Sequence, residues 1–239
     1  MKFLEKYYAV PSDQKLVVNA QQGSAFAKQI ACDFNPIHDA DSKRFCVPGD
    51  LLFALALQQY GLHQKMAFRF QGLVKADADL SYPAYQAQTD VAHIEVTNDR
   101  HKPVLDIDYS GDYSREAAKI ESLLVSYVAF SGQNFPDILV PLMQQHDVMI
   151  NPERPLVIYE SMAFELKHLE FDELQIELAE TSLKVAGKRG TAELHFSMNA
   201  NGQLLGHGVK QLVLSGLRPF DQSAVQLMCD TYQASKLLA

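Results

Sequence analysis

The strongest pattern in the chain is a helical run with no polar face. Between residues 50 and 60, Leu51, Leu52, Phe53, Leu55 and Leu57 fall on every side of the helix their spacing predicts, and Gly61 supplies a stop. Such a helix has to be wrapped by other apolar surface. Strand patterns follow it at 68–76, 91–97 and 104–109, the last with Val104, Asp106 and Asp108 alternating with Leu105, Ile107 and Tyr109. Upstream, residues 15–20 predict a short strand. Ser24 is an N-cap candidate for a helix over 25–32, in which Phe26, Ala27, Ile30 and Ala31 share one face. Residues 120–130 suit a further strand, although 115–122 is also an acceptable helix start.

The same order recurs past Gly132. An apolar helix is expected over 136–146, kinked or delayed by Pro141, and then strands over 156–169, 174–186, 191–198 and 204–214. Gly187-Lys188-Arg189-Gly190 and Asn199-Ala200-Asn201-Gly202 have the composition of hairpin turns, and Gly206-His207-Gly208 inside the last strand marks a bulge. An amphipathic helix over 220–238 closes the chain and packs on the outside. One helix followed by a run of antiparallel strands therefore occurs twice, dividing the chain into 1–132 and 133–239. No residue-level repeat accompanies the division.

Composition narrows the partners. A chain of 239 residues, 47% hydrophobic with 13 Phe and 10 Tyr, can bury a substantial core. A net charge of -8 and a pI near 5.4, with no basic cluster beyond Lys188-Arg189, argue against nucleic acid. Cys32, Cys46 and Cys229 lack any Cys-x-x-Cys spacing, which fits reduced thiols in the cytoplasm. Charges interrupt the N-terminus too early for a signal peptide, and no apolar run is long enough to cross a bilayer. His63, His93, His101, His146, His168, His195 and His207 are scattered without ligand spacing. Asp106 and Asp108 suit a solvated strand edge better than a metal site.

The chemistry is concentrated in Asp33-Phe34-Asn35-Pro36-Ile37-His38, where a carboxylate and an imidazole lie five residues apart in a turn stiffened by Asn35-Pro36. Pro48-Gly49 and the apolar helix follow. Asp33-x-Asn35-Pro36-x-His38 in this setting, over residues 24–61, resembles the hydratase motif of the MaoC-like (R)-specific enoyl-CoA hydratases. The resemblance implies an α+β double hot-dog fold, each unit a helix wrapped by an antiparallel sheet, with the motif in the first unit only. It implies that Asp33 and His38 are the acid/base pair that adds water to an enoyl thioester, with no metal or organic cofactor. Asn35 would hold the loop or orient the water, and the N-H groups at Gly49 would polarise the thioester carbonyl. The expected partner is an acyl-CoA or acyl carrier protein thioester. The second unit would stand in for a partner subunit, in a monomeric pseudo-dimer or a homodimer. Two features depart from the family: Cys32 stands where glycine is usual, and the interval from His38 to Gly49, which helps shape the acyl pocket, is several residues shorter. Alternatives on the same fold are a non-catalytic acyl-thioester-binding protein and a hot-dog thioesterase.

Overall fold

A short 3-10 helix over Lys2–Tyr7 leads to strand β1 (Leu16–Val17) and helix α1 (Ala20–Gln29), and a 3-10 turn over Pro36–His38 precedes helix α2 (Gly49–Tyr60). Strands β2 (Leu62–Phe70), β3 (Asp79–Leu80), β4 (Val91–Thr97) and β5 (Pro103–Ser114) follow. Helix α3 (Ala117–Gly132), a π-helical turn over Phe135–Leu139 and helix α4 (Val140–Gln145) come next. The chain then runs through β6 (Val148–Met149), β7 (Val157–Leu166), β8 (Gln175–Ala186), β9 (Arg189–Ala200), β10 (Gln203–Ser215) and β11 (Arg218–Pro219) to helix α5 (Gln222–Leu237). The structure is a computed structural model and describes residues 1–11, 15–84, 91–132 and 134–237.

Among the described residues, seven strands form one antiparallel sheet in the order β4-β5-β2-β7-β10-β9-β8. The seam between the halves is β2 against β7, with Ala67 opposite Ala163 and Phe68 opposite Met162. Helix α2 is buried on all sides, as its pattern requires: Leu51, Phe53, Ala54, Ala56, Leu57 and Tyr60 are at or near zero exposure. It ends at Gly61, whose φ of 86° is open to glycine at no steric cost. The cluster around it takes residues from both halves, including Met162, Phe164, Phe196 and Met198. A second cluster, with Leu142, Met143, Leu194 and Leu214, lies between α4 and the far end of the sheet.

Several local expectations are corrected. Of the two readings open at 115–130, the helix start is the one realised and the strand is not: Ile120, Leu123, Leu124, Tyr127 and Val128 are among the buried positions of α3, a helical spacing. Helix α1 starts five residues before the position expected. Its N-cap is Asn19, whose side chain accepts from Gln22 N-H at 2.8 Å, while Gln22 Oε1 accepts from Asn19 N-H at 3.0 Å. Ser24 is buried inside that helix. The strand expected at 68–76 occupies 62–70, because a bulge between His63 and Lys65 breaks the alternation that would reveal its start. The strand expected over 15–20 keeps only Leu16–Val17, since Ala20 already opens α1. Asp106 is buried rather than solvated: Arg69 Nε lies 3.8 Å from it, and Gln71 donates to it. The hairpin turns fall where expected, with positive φ at Gly187, Asn201 and Gly202. The bulge at Gly206 is present as a register shift between Leu204 and Gly206.

Candidate active site

The geometry around Asp33 begins with the end of α1. Ala31 N-H donates to Phe26 O and Asp33 N-H to Ala27 O, at 3.1 and 2.9 Å, while Cys32 between them has a φ of 51°. This is a helix terminus of the kind that glycine usually completes, because the left-handed conformation crowds a Cβ. It turns the chain sharply and sends Asp33 off the helix axis. Asp33 Oδ1 then accepts from Asn35 N-H at 2.9 Å, and Asn35 Oδ1 from Ile37 N-H at 3.2 Å, capping the Pro36–His38 turn.

The imidazole is oriented by one bond. His38 Nδ1 donates to the carbonyl of Cys46 at 2.7 Å, so Nε2 is the nitrogen left to exchange a proton. Nε2 faces Asp33 Oδ2 at 3.6 Å. That is too long for a direct hydrogen bond and suits one water or hydroxyl in contact with both.

Both side chains line a cavity of about 630 Å³, together with Asn35 and Gly49. Gly49 stands at the first position of α2, and a Cβ there would lie 2.8 Å from the Tyr159 ring, so glycine makes room for that aromatic wall. Much of the remaining wall is apolar and comes from the second half: Leu139, Ile150, Val157 and Leu212, with Leu227 and Met228 of α5.

A second polar group in the same wall has no precursor among the expected residues. Lys210, on β10, is 4% exposed and donates to Ser131 O at 3.2 Å, to Asn134 Oδ1 at 3.0 Å and to Ser131 Oγ. Ser131 Oγ donates in turn to the Asp50 carboxylate, with its oxygens at 2.7 and 2.8 Å. The ammonium also sits 4.4 Å above the Tyr159 ring, whose hydroxyl meets that of Tyr127. Burial pushes the Asp50 carboxyl above its ordinary value against the pull of Lys210 and Ser131. Burial likewise lowers Lys210 against the pull of Asp50 and Asp33. The sequence signal that could have exposed this group is a lone lysine on the inward face of β10, in step with Gly206, Gly208 and Leu212. Among the described residues, no group of three or more His, Cys, Asp or Glu is placed to hold a metal ion, and no helix is long and apolar enough to cross a membrane.

A family model described as "Protein of unknown function (DUF3581)" matches residues 2–223. The chain belongs to the DUF3581 family. No curated protein matches its sequence. Among solved structures, this DUF3581 chain is similar to a conserved protein with hot dog fold from Alicyclobacillus acidocaldarius, at 9% identity and a TM-score of 0.51, covering 92% of this chain and 99% of that one. It is also similar to a putative thioesterase II from Thermobifida fusca YX (8% identity, TM-score 0.48, 87% and 95% covered). A third is a MaoC-like dehydratase (10% identity, TM-score 0.44, 88% and 98% covered). The fold is the α+β double hot dog, and the DUF3581 chain spans nearly the whole length of the Alicyclobacillus acidocaldarius structure.

Proposed function

We propose that this protein adds water to, or removes it from, an enoyl or 3-hydroxyacyl thioester, with Asp33 and His38 as the acid/base pair. The observation that carries the proposal is the 3.6 Å approach of His38 Nε2 to Asp33 Oδ2 in the wall of an otherwise largely apolar cavity. Hydration needs one group to take a proton from water and another to protonate the α carbon. A water held between the carboxylate and the imidazole is adjacent to both. The thioester carbonyl would lie at the start of α2, where the first N-H groups and the helix dipole favour a developing negative charge. The acyl chain would extend along Leu139, Ile150 and Leu212, so the second half supplies the wall that the short 38–49 segment does not.

The test is turnover of crotonyl-CoA and longer enoyl-CoA esters by wild-type protein, Asp33→Asn and His38→Ala. Each substitution is expected to lower kcat by roughly 10²- to 10⁴-fold. Wild-type protein no faster than either variant would remove the assignment. Stabilisation by CoA esters without product, unchanged by His38→Ala, would point instead to a binding protein.

One further observation favours hydrolysis of the thioester as a second possibility. Ser131 Oγ lies between a carboxylate and an ammonium in the same cavity, an arrangement suited to acyl transfer. Release of free CoA thiol separates this activity from hydration.

A further inference from the structure

Helix α5 buries little of itself. Among its described residues only Val225 and Tyr232 are buried, and Leu227 and Leu237 are 68% and 87% exposed. What it contributes at Tyr232 is specific. The ring lies edge-on to Phe34 at 5.9 Å and against Phe135 at 5.6 Å. The hydroxyl has its single proton between two carbonyl oxygens, Gly132 O at 3.1 Å and Cys32 O at 3.3 Å, and it accepts from Phe34 N-H at 3.4 Å. It therefore engages the peptide groups on both sides of Asp33 and fastens them to the end of α3.

The segment it grips is one that needs a restraint. Cys32 holds a φ of 51°, a conformation that a residue with a Cβ adopts at a cost. Relaxation of Cys32 toward negative φ would swing Asp33 away from His38. Close packing on the other side makes the same point: a Cβ at Gly132 would fall 1.6 Å from Ala31 O, so the end of α3 touches the backbone of this turn directly.

We propose that Tyr232 is a positioning residue for Asp33, with its hydroxyl clamping the left-handed turn at Cys32 so that the carboxylate stays opposed to His38. The proposal rests on Asp33 and His38 being the reacting pair and adds a device, delivered by the C-terminal helix, that sets their geometry. Burial and the nearby Asp33 charge push the Tyr232 hydroxyl up to about 12, so it keeps the proton it donates throughout the neutral range.

Tyr232→Phe keeps the ring contacts and removes only the hydroxyl. With the enoyl-CoA that the wild-type protein turns over best, kcat is expected to fall about 10-fold or more while KM stays within about twofold, as a small displacement of one reacting group would produce. Deuterium exchange at the amides of residues 33–38 is expected to accelerate, with little change elsewhere. Glycine accepts the Cys32 conformation without the Cβ penalty. Cys32→Gly combined with Tyr232→Phe should therefore recover kcat and exchange rates to within about threefold of Cys32→Gly alone. Unchanged kcat and exchange in Tyr232→Phe would overturn the proposal, and so would a loss that glycine at position 32 does not repair. If the wild-type protein turns over no enoyl-CoA, the hydratase assignment fails, and the exchange measurements still decide whether Tyr232 holds the turn.

Discussion

Cys32 concentrates the tension of the site in one residue. A left-handed conformation costs a non-glycine residue roughly 1–2 kcal/mol, and glycine loses roughly 0.5–1 kcal/mol through its freer unfolded chain. Cys32→Gly is therefore expected to leave stability unchanged or raise it by up to about 1.5 kcal/mol, measured as the urea midpoint at constant m-value. A loss of more than about 1 kcal/mol would mean that the cysteine side chain contributes packing that outweighs the strain. At this scale the approach of Asp33 to His38 was legible in the sequence, because Asn35 and Pro36 make a turn of fixed geometry over a short stretch and leave the two side chains few ways to avoid each other. Lys210 was not legible in the same way. Its partners Ser131 and Asn134 lie 79 and 76 positions away, and no local spacing records an approach that only the folded sheet creates.

Between elements, the Asp50, Ser131 and Lys210 group joins the start of α2 to the end of α3 and to the middle of β10. Removing one member of a buried pair typically costs about 3–5 kcal/mol, because the other charge is left without compensation. Lys210→Met is expected to destabilise by that order, and the pair Asp50→Asn with Lys210→Met to recover most of the loss. The pH dependence carries the sign. Asp50 already sits above its ordinary value through burial, and loss of Lys210 lets it rise further. A carboxyl whose folded value exceeds its unfolded one stabilises fully below the unfolded value, ~3.9, and loses that stabilisation as pH rises through the folded value. The deficit of Lys210→Met should then be small in acid and grow toward neutral pH in denaturant titrations. A deficit that does not vary with pH would show that Asp50 is not the residual charge. The elements themselves were legible where one period dominated, as in α2 and the β8–β10 hairpins. They stayed ambiguous between strand and helix where periods competed, since Ile120, Leu124 and Val128 of α3 also fall two by two along a strand.

Over the whole molecule, the β2–β7 seam makes one sheet from the strands of both halves, and the main core draws side chains from each. If 1–132 and 133–239 are the two units, neither should fold cooperatively alone. Fragment 1–132 would present β2 as an unpaired edge and lack Met162, Phe164 and Phe196 from its core. Separate expression should yield fragments without a sigmoidal unfolding curve by circular dichroism, and co-expression should restore one. Cooperative unfolding of either fragment would show the division to be deeper than the shared sheet suggests. The double hot-dog layout was legible because helix-then-strands recurred in order. The joining of the halves through β2 was not, because the bulge at His63 disguised the strand that makes it.

That seam has a consequence for how the protein behaves when scarce. Asp33 and His38 come from the first half, and the Leu139, Ile150, Leu212 and α5 wall comes from the second, so the cavity is complete only when both are present. Covalent linkage keeps the second half at a high effective concentration beside the first, whatever the abundance of the chain. A cavity built in this way cannot be diluted apart, and its assembly is set by folding rather than by mass action.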